Sequence, residues 1–170
     1  MNCISVKPYD MGWGVPQPMF FDCGSSLSGS AMRLHVVQHG KLRDRHLIAL
    51  RDDYHKRFRR FGSLEIEERK PKAGRGLWPE RCDWRVLVDE RGECWSSLQL
   101  AEHLASWSMT KGTIAFAIGD SHGHDPDTVA LADCSWSLSA LVLPHQLAHV
   151  VVVEQLYRAG TIHAGIDYHH

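Results

Sequence analysis

A chain of 170 residues, 44% of them hydrophobic, can bury the core of one domain and is neither a disordered tail nor a fibre. With 19 Lys and Arg against 20 Asp and Glu, its formal charge of -1 excludes a uniformly basic or acidic polyelectrolyte. Five scattered cysteines (Cys3, Cys23, Cys82, Cys94, Cys134) without a C-x-x-C pair, no apolar run near the ~20 residues of a membrane span, and no signal-peptide start point to a soluble, cytoplasmic protein.

In chain order, residues 1–31 carry Gly-Pro breaks, end in the linker-like Ser25-Ser26-Leu27-Ser28-Gly29-Ser30 and show no periodicity, so they are expected to lie outside the core as a poorly ordered extension. Residues 32–38 read as a first strand, closed by Gly40. Leu47, Leu50, Tyr54, Phe58 and Phe61 recur at helical spacing and predict a helix over 44–60. A short strand follows at 64–67, then a Gly/Pro/Lys loop and a strand at 84–88. Ser96 and Gln99 form a capping-box pattern opening a helix to about Ser108. Residues 113–118 are apolar and partly β-branched, as in a strand buried on both faces of a parallel sheet. Asp125-Pro126 signals the start of a helix to about Cys134. Residues 138–143 read as the next strand, stopped by Pro144. The last helix is expected over 145–159 with Gly160 ending it, apolar nearly all round and hence buried in a core or against a partner. Strands alternating with helices make an α/β fold with a mainly parallel sheet, whose ligands bind at the carboxyl ends of the strands.

Charge is unevenly spread: residues 32–75 hold 13 Lys or Arg against 6 acids, and residues 76–170 hold 5 against 12. The basic half, densest at Lys56-Arg57-Phe58-Arg59-Arg60, suits a polyanion such as RNA or forms a solvated helix face. The stretch after the 113–118 strand admits three chemistries. Gly119-Asp120-Ser121-His122-Gly123 fits the G-x-S-x-G of a serine nucleophile, but only 47 residues follow Ser121. His122, His124, Asp125 and Asp127 are metal-ligand types. The glycines would also suit a cofactor loop.

The C-terminal stretch "SWSLSALVLPHQLAHVVVVEQLYRAGTIHAGIDYHH" resembles the signature of the ribosomal RNA large subunit methyltransferase H (RlmH) family of the SPOUT superfamily. Carrying the match are Pro144-His145-Gln146-Leu147, Glu154-Gln155, Leu156-Tyr157-Arg158-Ala159 and Tyr168-His169. Upstream, the 36–42 stretch with its Gly40-Lys41 turn and the 53–57 segment are also similar, so the resemblance spans 32–170 as one SPOUT methyltransferase domain. It implies a C-terminal trefoil knot, a homodimer, and transfer of a methyl group from S-adenosyl-L-methionine to N3 of a pseudouridine in 23S large-subunit rRNA, with no metal and no membrane. The 119–123 turn then becomes a cofactor turn. Gly119, Val88 and the strand-end loop Leu138, Ser139, Ala140, Leu141, Val142 and Leu143 would hold the cofactor. Arg158, His145, Tyr168 and His169 would serve catalysis, with the last helix as the expected dimer seam. Three positions depart from the pattern: Asp120 replaces a glycine, His149 an arginine, and His170 a Lys or Arg. The segment between the strands at Leu64 and Trp84 leaves no room for the usual helix. A degenerate member that binds RNA or the ribosome without methyl transfer is the alternative.

Overall fold

The computed structural model describes residues 32–169, so the expected extension over 1–31 and His170 lie outside it. Strand β4 (Ile114–Ile118) organises the fold because its pattern alternates large and small side chains. Ile114, Phe116 and Ile118 point to one face and Ala115 and Ala117 to the other, and all five are buried. It lies between β1 (Met32–His39) and β3 (Trp84–Cys94). Outside these run β2 (Gly62–Arg69) and β5 (Cys134–Ser137), giving the order β2-β1-β4-β3-β5 with every pairing parallel. The α/β fold with a parallel sheet is therefore present.

The bulky face is covered by three helices: α1 (Arg45–Phe58), α2 (Ser97–Thr110) and α4 (His145–His163), with α4 packed against both others. Phe58, Leu100, Leu104, Val152, Val153 and Leu156 meet Leu34, Val36, Phe116 and Trp136 there. At roughly 25 cal/mol per Å² of apolar surface, this layer supplies most of the driving force for folding. The face with the alanines has room only for a thin cover. The 70–83 connection, helix-free as expected, provides it by placing Leu77 and Trp78 against Val37, Leu87, Ala115 and Ala117. Trp78 donates through Nε1 to the Thr128 carbonyl (2.9 Å), tying this cover to α3 (Pro126–Ala130).

Local signals account for most helix starts. Ser96 and Gln99 close the capping box of α2, Asp44 accepts from the His46 and Leu47 amides, and Asp125 accepts from the Thr128 amide. Three expectations are corrected. Helix α3 stops at Ala130, because Cys134 is needed as the β5 residue opposite Val86. Residues 138–143 form no strand: β5 ends at Ser137 once Trp136 is buried, and the chain then leaves the sheet as a loop. Gly160 lies inside α4, where an added Cβ would stand 2.5 Å from the Phe61 ring, so glycine is present for packing. The stop is Gly165 (φ +62°). Its amide bonds the Ile162 carbonyl and the Ile166 amide bonds that of Thr161, a Schellman closure. The apolar girth of α4 is absorbed by α1, α2 and the sheet of its own chain, and Val152 is fully buried.

Candidate functional site

Three segments, a bulge within β3 and the stretches that leave the carboxyl ends of β4 and β5, enclose a cleft of about 710 Å³, where a ligand is expected in an open parallel sheet. The first is Val88–Arg91. Pairing of β3 with β5 is interrupted between Val88 and Glu93, so residues 89–92 bulge into the wall. Gly92 permits the bulge, since a Cβ there would stand 2.7 Å from the backbone of Ser135 and Trp136. Asp89 accepts from the Arg91 Nε and main-chain amide (both 2.9 Å), and the Arg91 side chain holds its carboxyl below the usual range.

The second segment is the Ile118–His124 turn. Asp120 and Gly123 exchange main-chain hydrogen bonds of 3.2 and 3.1 Å. The Asp120 carboxylate accepts from the His122 amide (2.7 Å), the main reason its pKa is lowered, and pairs with His39 Nδ1 at 3.2 Å. His124 Nε2 donates to the Val88 carbonyl (2.8 Å) and so ties this turn to the first segment. The third segment is the Ser137–His145 loop. Ser137 Oγ donates to the Ser139 carbonyl, and Ser139 Oγ accepts from the Leu141 amide, leaving Leu141 and Val142 74% and 80% exposed at the cleft.

Val88, Gly119, Leu138, Ser139, Leu141, Val142, Leu143 and His145 thus come together around one cleft. Ala140, expected with them, is exposed and is not part of the lining. Gly119 has no positive φ; that conformation belongs to Gly123 (+91°). Gly119 is required because a Cβ would lie 2.5 Å from the Gly123 carbonyl oxygen.

The competing chemistries of this stretch find little geometry. Ser121 sits in an exposed four-residue turn, and the helix that a nucleophile elbow needs begins only at Pro126. Its hydroxyl approaches only the neighbouring His122 (3.3 Å). Asp125 caps α3, Asp127 accepts from the Gly74 amide (2.7 Å), and no described group of three or more His, Cys, Asp or Glu is arranged to hold a metal.

Arg158, Tyr168 and His169 form a second cluster farther along α4. Arg158 bonds Glu154 through Nε and Nη2 (3.0 and 2.7 Å), lies over the Tyr168 ring at 4.7 Å, and approaches His169 Nδ1 at 3.4 Å. The Glu154 hydrogen bonds raise the Arg158 pKa. Desolvation, and then the contact with the Tyr54 hydroxyl, push the Tyr168 phenol up, so it is a donor at neutral pH. Thirteen residues of helix, about 20 Å, separate this cluster from His145, so one chain does not unite the two.

Sequence reasoning overlooked Asp89, Glu90, Arg91 and His124 as cleft residues. The acidic run directly after the Val86–Val88 strand was the available signal. It also gave no role to His149, which is fully buried and bonds Gln38 through Nδ1. Burial pushes the His149 pKa down to about 4. Neutral, this side chain keeps an internal position that an arginine could hold only with a counter-charge.

Residues 32–169 match the family described as "Predicted SPOUT methyltransferase". The chain belongs to that class of methyltransferases. Within it, the chain groups with proteins named ribosomal RNA large subunit methyltransferase H. The one from Sorangium cellulosum is 40% identical over 145 residues, covering 82% of this chain and all of the relative. That from Deinococcus radiodurans is 37% identical over 144 residues, covering 81% and 99%. A solved structure of a probable methylase family protein from Haemophilus influenzae shares the fold, with TM-score 0.56 and 12% identity over 82% of this chain and 71% of its own.

Proposed function

We propose that this protein is an S-adenosyl-L-methionine-dependent methyltransferase of large-subunit ribosomal RNA that modifies N3 of a pseudouridine in 23S rRNA, working as a cytoplasmic homodimer with a knotted C-terminal segment. One observation carries the reading. The cleft at the ends of β3, β4 and β5 combines exposed apolar side chains, Leu141 and Val142, with the carboxylates of Glu90, of Asp89, which is shared with Arg91, and of Asp120, which is shared with His39. Such a lining suits a ligand with an aromatic body and a positive charge. No helix of the described residues is long and apolar enough to cross a membrane.

When bound, the cofactor supplies an electrophilic methyl group on its sulfonium. The chain's own contribution is mostly positioning. Main-chain groups of the 138–143 loop and of the 119–123 turn would hold the adenosine and methionine parts, with Val88 beneath them. His145 opens α4 at the cleft mouth and could take the imide proton of the target base. Arg158, with Tyr168 and His169, would stabilise the developing imide anion and orient the base. Because these lie about 20 Å from His145 along α4, the reading assigns them to the partner's cleft across a two-fold axis.

Mapping modified nucleotides in large-subunit rRNA from cells with and without the protein tests the reaction, and calorimetric titration with S-adenosyl-L-methionine tests the cleft. A single pseudouridine losing its methyl group in the deletion strain is expected. An unchanged map with no cofactor binding would leave an RNA-binding protein without transfer.

A further inference from the structure

Seven of the eighteen Lys and Arg residues among those described are ion-paired with a carboxylate: Arg51, Arg57, Arg69, Arg75, Arg85, Arg91 and Arg158. The others fall at different ends of the sheet. The run Lys56–Arg60, conspicuous in the sequence, lies at the amino end: Phe61, just after it, accepts from the Met32 amide at the start of β1. Arg59 and Arg60 therefore sit roughly 25 Å from the cleft end, the length of an eight-residue strand.

A different group occupies the carboxyl end. Lys41, Arg43 and Arg45 follow β1, and Lys70 follows β2, held alongside by the hydrogen bond from the Gly40 amide to the Arg69 carbonyl (3.1 Å). All four are exposed, and none pairs with a carboxylate among the described residues. The strand order places them beside the cleft. Strands β4, β3 and β5 carry the cleft, and β1 and β2 continue the same edge of the sheet. The loop is also fastened to the cleft mouth. Gln146, next to His145, accepts through Oε1 from the amides of Arg43 (3.0 Å) and Asp44 (3.3 Å).

The carboxylates nearest this edge are already engaged: Asp44 caps α1, Asp120 pairs with His39, Glu67 with Arg69 and Glu68 with Arg51. Arg45 and His46 in the first turn of α1 oppose the helix dipole, and the N-cap carboxylate of Asp44, already engaged by two main-chain amides, is the one acid beside them.

We propose that Lys41, Arg43, Arg45 and Lys70 form a phosphate-docking strip that lays the RNA backbone along the ends of β2 and β1 while the target base enters the cleft over β4, β3 and β5. The RNA partner rests on the transferase reading above; the strip itself rests on topology and charge. It contributes affinity and register, not chemistry.

Cosedimentation with intact ribosomes across a salt series tests it. The double variant Lys41→Gln/Arg43→Gln should bind about tenfold more weakly at moderate salt, and the slope of log affinity against log salt should become shallower by roughly 1.5 to 2. Calorimetric affinity for S-adenosyl-L-methionine should not change. Arg59→Gln/Arg60→Gln is the matched control from the opposite end and should keep the wild-type slope. An unchanged slope in the first variant, an equal loss in the control, or wild-type binding that is insensitive to salt would overturn the strip. If the strip variant loses ribosome binding while the wild-type protein fails to bind the cofactor, the strip stands and the transferase reading falls.

Discussion

His39 and Asp120 meet across the two central strands, with His39 Nδ1 3.2 Å from the Asp120 carboxylate. The contact joins the end of β1 to the turn that follows β4, and the same carboxylate receives the His122 amide. The Asp120 side chain is therefore part of the turn's framework.

Asp120→Gly should weaken cofactor binding about three- to tenfold by loosening the turn, and Asp120→Asn, which still accepts from the His122 amide, should fall between. Calorimetry measures both, and tighter binding by the glycine variant would show that Asp120 obstructs the cleft. Because the His122 amide holds the Asp120 pKa below the ordinary carboxylate value, its contribution to stability is present above that ordinary value and is lost as the pH falls through the lower folded one.

Gly119→Val should abolish cofactor binding and methyl transfer, since even a Cβ would stand 2.5 Å from the Gly123 carbonyl oxygen. Ser121→Ala should leave both within about twofold, because the exposed hydroxyl supports no other part of the site. An inactive Ser121→Ala protein with a functional Gly119→Val protein would remove the cofactor reading of this turn.

Stability should fall on acidification from about pH 6.5 to pH 4. Burial depresses the folded pKa of His149 to about 4, against 6.5 when unfolded, so across that window the unfolded chain binds the extra proton. The shift corresponds to a loss on the order of 3 kcal/mol. Burial also lowers the pKa values of His35 and His103, which act in the same direction. Urea unfolding of His149→Leu at pH 7.5 and pH 5 should show a flatter dependence, along with lower stability at pH 7.5 from the orphaned Gln38 oxygen. A dependence as steep as that of the wild-type protein would assign the effect to other groups.

Gly160→Ala should destabilise the protein by about 1 to 3 kcal/mol, although the same change in an open helix stabilises by about 1 kcal/mol. The cause is the Phe61 ring, 2.5 Å from the added Cβ. Adding Phe61→Leu should recover part of the loss, and additive effects in the denaturant melts would rule out the clash.

Mixing an inactive cleft variant, Gly119→Val, with an inactive tail variant, Arg158→Ala, should restore about a quarter of wild-type activity through mixed dimers containing one intact composite site. No recovery after co-refolding, with mixed dimers verified by native mass spectrometry, would place Arg158 at its own chain's cleft or outside the reaction.

The sequence by itself determined the parts governed by neighbours along the chain. The capping box at Ser96, the two-sided burial of residues 114–118 and the helical spacing through Tyr54 and Phe58 are local patterns, and each formed as read. The family was legible too, because Pro144-His145-Gln146 and the run through Arg158 lie close together in one stretch. What only the tertiary structure decided depended on partners distant in sequence. Residues 138–143 have the composition of a strand, yet they form a loop because β5 already fills the place beside β3 with Cys134–Ser137. Gly160 carries a stop signal, yet α4 runs on to His163, and the glycine is there because Phe61 occupies the space where a side chain would stand. The densest basic run, Lys56–Arg60, lies far from the cleft, while the sparser Lys41, Arg43 and Lys70 gather beside it, because strand order, not spacing along the chain, sets which charges share an edge.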